Sequence, residues 1–265
     1  SVLESGTTQA FDTFFSKPID EVLNELVQDT TTLEFGFFSA FRLNSSAITN
    51  GIYLPKYYDP AVENILRKLD GTCTRYSIQS LLNDKVIELA TGDEIGKMAY
   101  GTGSIPFVRT SDFSNWEIKA DAKQGVSEEI YEQYALKEDV RPGDILIVRD
   151  GTYLVGTSCL ITEYDQKMLY CGGLIKIRVL KKDILDEYLL LGLLNSYIVK
   201  RQIRTKQFTR DVIDTLGQRL REVTLPLPHS VELRHSISVQ IRHIIENRIE
   251  ARDCVSNLSR QLIEL

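Results

Sequence analysis

From Val231 to Leu265 the chain runs without a single glycine or proline, directly behind the hard stop Pro226-Leu227-Pro228. Ser230 is a good N-cap residue, so this segment predicts one helix from Ser230 to Leu265. With Ile237 placed at position d, a seam reads Ile237, Ile241, Ile244, Arg248, Ala251, Val255, Leu258, Leu262, Leu265, alternating four- and three-residue steps with one polar interruption. A seam of that length calls for a partner helix. Ile245, Ile249 and Ile263 widen the stripe, as in a helix laid one-sidedly on its own domain, so both packings stay open.

The rest of the chain changes texture twice. Residues 10–28 carry Phe11, Phe14, Phe15, Ile19, Val22, Leu23, Leu26 and Val27 at steps of three and four, an amphipathic helix. Residues 35–54 read as irregular, and Pro60 opens a helix over 60–69 that Gly71 ends. From residue 76 short β-rich runs alternate with turn chemistry: Lys85–Leu89, Ile105–Arg109, Asp144–Val148, Thr157–Ile161, Leu169–Tyr170 and Leu174–Val179. Helices are predicted over 183–203 and 209–220, then a strand Glu222–Leu227. The class is α+β, in three parts: an N-terminal helical and irregular segment (1–75), a β-rich domain with peripheral helices (76–228), and the long coiled-coil-type helix (229–265).

Charge gives a misleading first impression. The chain holds 31 Lys+Arg against 37 Asp+Glu, a net charge of −6. Residues 1–34 account for all of it, with Glu4, Asp12, Asp20, Glu21, Glu25, Asp29 and Glu34 against Lys17 alone. Residues 200–221, in contrast, hold Lys200, Arg201, Arg204, Lys206, Arg210, Arg219 and Arg221 against Asp211 and Asp214. Such a local excess of base matters more to a polyanion than the chain total, although a solvated helix face reads the same way. No apolar stretch is long enough to span a bilayer and no secretory signal opens the chain. Cys73, Cys159, Cys171 and Cys254 are far apart with no CxxC pair, which fits free thiols in a reducing cytoplasm.

Signatures of catalysis are sparse. The three histidines (His229, His235, His243) all fall near or on the last helix, away from any nucleophile or ligand cluster. Gly101-Thr102-Gly103 lacks the third glycine and the strand-then-helix setting of a dinucleotide loop, and there is no Walker loop. One pattern suggests a metal-dependent nuclease: Glu117-Ile118-Lys119, with Asp112 or Asp93 as the second acid.

Four stretches carry a more extensive signal. They are Gly103-Ser104-Ile105-Pro106-Phe107-Val108-Arg109-Thr110-Ser111-Asp112-Phe113, then Arg141-Pro142-Gly143-Asp144-Ile145-Leu146-Ile147-Val148-Arg149-Asp150-Gly151, then Leu193-Leu194-Asn195-Ser196, and the run from Gln207-Phe208-Thr209 to Leu225-Pro226-Leu227-Pro228. In this order and spacing, residues 76–228 resemble the target recognition domain of the specificity (S) subunits of type I restriction–modification systems. The helix over 230–265 stands where that family has its conserved-region helix. Full S subunits have two such domains and two helices; one of each is present here, and the chain begins without Met, which fits a half-size subunit or a piece of a larger one.

The resemblance implies a non-catalytic subunit that reads duplex DNA and directs a methyltransferase, and with it a nuclease. It implies no cofactor in this chain: S-adenosylmethionine and Mg²⁺ would belong to the partner subunits. Reading bases requires Arg for guanine edges, Asn or Gln for adenine edges, and hydroxyls or amides for phosphates. Three loops supply them. One has Lys97, Tyr100, Thr102 and Ser104 before the Ile105 strand and Arg109, Thr110, Ser111 and Asp112 after it. Another is Arg149, Asp150, Gly151, Thr152 and Tyr153, where Gly151 lets the backbone approach closely and Arg149-Asp150 is alternatively a local ion pair. The third is Arg204, Lys206, Gln207, Phe208, Thr209 and Arg210, at the start of the 209–220 helix, whose free N–H groups would favour a phosphate. The expected partner interface is Ile237, Ile241, Ile244, Arg248, Val255, Leu258 and Leu262, through which a second copy or the methylation subunit docks. A pure coiled-coil assembly protein is the remaining alternative.

Overall fold

The computed structural model describes residues 32–35, 38–114, 116–119, 124–165, 167–210 and 213–263. The helix expected over 10–28 lies outside these residues. The chain divides into two compact units, residues 1–64 and 65–265. In the first, β1 (Thr32–Phe35) and β2 (Phe38–Phe41) form an antiparallel hairpin with Thr32 opposite Phe41. A strand thus stands inside the stretch read as irregular. The Tyr58 hydroxyl closes the following loop, donating to the Ile52 carbonyl at 2.8 Å and accepting the Thr49 N–H at 3.1 Å. Helix α1 (Pro60–Leu69) begins at its proline as expected, and the Asp59 carboxylate accepts the Ala61 N–H at 3.0 Å.

The second unit is built round a four-stranded antiparallel sheet. Its strands are β4 (Ile87–Thr91), β9 (Ile145–Val148), β11 (Ser158–Leu160) and β13 (Leu174–Val179), in the order β11-β9-β13-β4. Ile145 to Val148 are all fully buried, so β9 is covered on both faces and its unbroken apolar run is the signature of a central strand. Beside it, β5 (Ile105–Val108) pairs in parallel with β12 (Leu169–Tyr170) and antiparallel with β8 (Gly125–Val126). A small hairpin, β6 (Phe113–Ser114) with β7 (Glu117–Ile118), and the pair β3 (Cys73–Ser77) with β16 (Thr224–Pro228) complete the body.

The helices differ from expectation in informative ways. The single helix expected over 183–203 is two, α4 (Glu187–Asn195) and α5 (Tyr197–Lys206). Ser196 separates them in an extended conformation, its hydroxyl donating back to the Leu193 carbonyl (2.7 Å) while accepting the Val199 N–H (3.4 Å), so one residue caps both. Between β3 and β4 lies α2 (Ile78–Asn83), and before β9 lies α3 (Glu128–Glu138), neither of them expected. Ser127 and the acids Glu128 and Glu129 in the first turn are the capping signals for α3.

Helix α3 ends on a buried ionic cluster. Arg178 of β13 grips Asp144 with two hydrogen bonds (2.7 and 2.8 Å) and Asp139 with a third (2.7 Å). The Asp144 carboxylate also accepts the Arg141 N–H at 2.8 Å, and Lys176 donates to the carbonyls of Glu138 and Asp139. Glu138 itself is buried and accepts the N–H groups of Tyr170 (2.8 Å) and Asp93 (3.3 Å). Burial pushes its carboxyl up to about 8, against the pull of those two donors. An unfolded glutamate ionises near roughly 4.3, so between that value and about 8 the folded chain holds a proton the unfolded chain has released. Stability from this group therefore falls as pH rises through the window. Glu138→Gln, uncharged throughout, is expected to gain unfolding free energy relative to the native chain between about pH 5 and about pH 8 in urea titrations; a difference independent of pH would refute the assignment.

The last helix, α6 (Val231–Ile263), starts where Ser230 accepts the Leu233 N–H at 3.0 Å. Its seam is not one continuous interface. Ile241 and Ile245 are buried, and Gly192 of α4 leaves room for the first: a Cβ there would stand 2.3 Å from Ile241 Cδ1. Ser238 donates to Asp186 (2.6 Å), Arg234 to the Ile184 carbonyl (3.0 Å), and Arg242 lies over the Tyr188 ring. Further along, Arg248 lies over Trp116, Arg252 over Tyr164, and the Tyr164 hydroxyl donates to Asp253. Ile244, Val255, Leu258 and Leu262 stay exposed, the last three at 65, 59 and 72%. The helix thus has two stripes: Ile241 and Arg248 belong to its own domain, while Ile244, Val255, Leu258 and Leu262 face outward.

Candidate nucleic-acid interface

The three loops singled out in the sequence are brought together by strand pairing. The segment expected as a helix over 209–220 is instead a hairpin, β14 (Phe208–Arg210) and β15 (Ile213–Thr215), followed by a 3-10 turn at Gly217–Glu222. β-branched Thr209, Ile213 and Thr215 favour strand geometry, the Thr209 hydroxyl bonds Asp214 at 2.6 Å, and Gly217 at φ +50° prevents helical continuation. No helix N-terminus is therefore present there to attract a phosphate. Strand β15 also pairs with β10 (Asp150–Gly151), which joins the hairpin to the Arg149–Tyr153 loop in one three-stranded ribbon. Asp150 accepts the Thr215 hydroxyl at 2.5 Å, and Arg149 offers its carbonyl to the Leu216 N–H at 3.0 Å.

Gly173 connects this ribbon to the Arg109–Asp112 loop. Its carbonyl accepts the N–H groups of Arg149 (2.9 Å) and Asp150 (3.1 Å), and a Cβ at Gly173 would meet the Thr110 methyl at 2.9 Å. Arg109 is exposed, its guanidinium 5.8 Å from the Tyr100 ring centre, and Tyr100 stacks on Phe107 at 5.5 Å. The Lys97–Ser104 loop is anchored through main chain. A Cβ on Gly103 would sit 2.4 Å from the Val126 carbonyl, and one on Gly125 would sit 2.1 Å from that of Gly103. Gly103 serves close backbone approach and Gly101 a left-handed turn at φ +74°, which explains a Gly-x-Gly pattern without a nucleotide site.

Within this surface the residues divide by what they already hold. Lys97, Ser104, Arg109, Ser111, Thr152, Tyr153 and Arg204 are exposed, Tyr153 at 94%. Asp112 is buried: its carboxylate accepts the Arg109 N–H at 2.9 Å and the Ser111 hydroxyl at 3.3 Å, so it shapes the turn and does not face outward. Thr102 is likewise committed, donating to the Ala99 carbonyl (2.8 Å) and accepting the Ser127 N–H (3.0 Å). Arg149 rests on Asp150 at 2.8 and 2.7 Å, the local ion pair that the sequence left as an alternative. Gly151 has room for a Cβ, its nearest neighbours lying at 3.8 and 4.0 Å, so no tight approach demands glycine there. Gln207 reaches the Val155 carbonyl at 3.3 Å, Lys206 pairs with Glu222 at 2.8 Å, and the side chain of Arg210 lies outside the described residues.

The nuclease pattern does not assemble. Asp112 is used as above, Lys119 donates to the Ser111 carbonyl at 2.7 Å, and Asp93 is paired with Lys137. Among the described residues no three His, Cys, Asp or Glu side chains are grouped to hold a metal ion. None of the described helices is long and apolar enough to cross a membrane. The four cysteines are free thiols, and burial drives that of Cys159 well upward. Sequence reasoning counted Arg219 among outward-facing bases. It points inward instead, stacked 3.8 Å from the Phe208 ring centre, and no local pattern signals that.

No protein-family model matches the sequence, and no curated protein matches it. Solved structures do. The S subunit of the type I restriction–modification system from M. genitalium superposes with a TM-score of 0.51 at 14% identity, over 72% of this chain and 44% of that one. A structure of type I restriction–modification complex assembly matches with a TM-score of 0.45 at 16% identity, over 77% of this chain and 48% of the other. The HsdS subunit of Thermoanaerobacter tengcongensis matches with a TM-score of 0.43 at 16% identity, over 74% and 46%. This chain spans less than half the length of each. A mixed α/β body whose last strand runs directly into one long helix is thus the fold shared with the S subunit of a type I restriction–modification system.

Proposed function

We propose that this chain is a non-catalytic unit that reads a short sequence in duplex DNA and directs a restriction–modification methyltransferase and nuclease to it. The observation that carries the reading is the β10–β15 pairing, which joins two loops distant in sequence into one ribbon, with the Arg109 loop bridged to it through Gly173. That surface offers guanidinium, ammonium, amide and hydroxyl groups on a rigid sheet, the mixture required for phosphate positioning and base-edge reading. The unit needs no cofactor of its own; S-adenosylmethionine and Mg²⁺ belong to the subunits it guides, in a cytoplasmic assembly. The exposed stripe Ile244, Val255, Leu258 and Leu262 is where a second helix docks, from another copy or from the methylation subunit.

Salt titration of duplex binding is the direct test. Affinity is expected to fall steeply between about 50 and about 200 mM salt, with selection from random duplexes returning one preferred motif. Arg109→Ala and Arg204→Ala are each expected to weaken binding to every duplex and to flatten the log–log salt slope by about 0.9. A slope near zero, or no preferred sequence, would overturn the reading.

A further inference from the structure

Arg219 sits at the base of the β14–β15 hairpin and touches both of its ends. Its Nε donates to the Lys206 carbonyl at 2.8 Å, one residue before the hairpin's lead-in at Gln207. Its second terminal nitrogen donates to the Thr215 carbonyl at 2.8 Å, the last residue of β15. The guanidinium plane is stacked 3.8 Å from the centre of Phe208, the first residue of β14. One side chain therefore binds the entry, first residue and exit of the hairpin. Only a planar guanidinium offers two divergent N–H donors and a flat face together; an ammonium lacks that geometry.

A second latch adjoins it. The Thr215 hydroxyl donates to Asp150 and accepts the Gly217 N–H at 3.1 Å, fixing the same end of β15 to the neighbouring loop. Among the described residues, the outer half of the hairpin is held by its own pairing, Thr209 with Asp214 and Arg210 opposite Ile213.

We infer that Arg219 is a positioning residue: it fixes the orientation of the hairpin relative to the Arg149–Tyr153 loop and does not itself contact DNA. This rests on the proposed reading of DNA for its consequence, but not for its structural content. Arg219→Lys is small enough to keep the fold and too poor in geometry to keep the clamp. In the protein without DNA, hydrogen exchange of amides 207–215 is expected to rise by about tenfold or more in Arg219→Lys, with the amides of β9 and β13 unchanged. Exchange that rises equally in β9 and β13, or nowhere, overturns the inference whatever DNA does. With DNA, both Arg219→Lys and Arg219→Ala are expected to retain affinity for random duplex and its salt slope while preference for the selected motif drops by about tenfold. A loss confined to general affinity with a flatter slope would make Arg219 a phosphate contact and overturn it. If the native chain prefers no motif, the recognition reading fails, and the exchange experiment alone decides the clamp.

Discussion

Asp144→Ala is expected to cost the second unit roughly 3–5 kcal/mol, enough to unfold a marginal domain. Asp144 is almost wholly buried, with its side chain 2% and that of Arg178 15% exposed. In the native chain two hydrogen bonds from Arg178 and one from the Arg141 amide satisfy the carboxylate, and Lys176 stands 4.0 Å away. Removing the carboxylate leaves two cations near one another, with only Asp139 and Glu88, both far more exposed, to compensate. The uncompensated charge is the costly part; a neutral hydrophobic pair of similar volume would cost far less. The same logic makes the losses non-additive: Arg178→Met alone strands the Asp144 charge, and the double variant should lose less than the sum of the two single ones. Urea unfolding of the three variants measures this directly. A loss below about 1 kcal/mol in Asp144→Ala would show that water or rearrangement satisfies the cluster. Asp139, drawn down to about 2 by its hydrogen bonds from Arg178 and then Arg141, adds stability that is lost as pH falls from the ordinary carboxylate range toward that value.

Leu258→Asp combined with Val255→Asp is expected to abolish self-association while leaving the melting temperature of the second unit unchanged. Both residues are exposed, at 59 and 65%, and follow Asp253, which accepts the Tyr164 hydroxyl of the helix's own domain. Sedimentation should show the native chain as a concentration-dependent assembly and the variant at the single-chain mass of 30.1 kDa. A native chain that remains at that mass at high concentration would end the case for a second copy as partner. Ile241→Asp is the opposing control. It places a carboxylate in the apolar contact with α4, where an unpaired charge costs several kcal/mol, so it should unfold the domain before it reports on assembly.

The parts of this fold legible in the sequence are those in which local chemistry and tertiary packing agree. Ile145–Val148 is fully buried, so its unbroken apolar run announced it, and Leu174–Val179 showed as a β-rich run behind the Gly172-Gly173 turn. The last helix was legible because nothing in it could break. What failed were segments whose state is set at a distance. Ser196 interrupts an otherwise helical leucine-rich stretch because its hydroxyl can serve two helix ends, a choice that no periodicity reveals. Residues 209–220 read as a helix, but the β10–β15 pairing and the Arg219 clamp hold Phe208–Arg210 and Ile213–Thr215 as paired strands. The heptad seam likewise misread Ile241, because α4 offers Gly192 as a recess for it and competes successfully with any partner helix. For the candidate site, the three loops were visible as turn chemistry. Which of their side chains are already committed was not, the Arg149–Asp150 pair apart, since Asp112 and Thr102 find their partners in the turn or across the β5–β8 edge.

The glycine contact between residues 103 and 125 has a consequence for how such a unit evolves. Its first loop is moored by main chain against main chain, with carbonyl oxygens where any Cβ would fall. One side chain joins that mooring, Thr102 through the Ser127 N–H at 3.0 Å, whereas Lys97, Met98 and Ser104, all exposed, take no part in it. Those positions are free to drift, and a change in the surface that the loop presents need not be accompanied by repair elsewhere. The two glycines are the fixed hinge pins that make the rest of the loop replaceable.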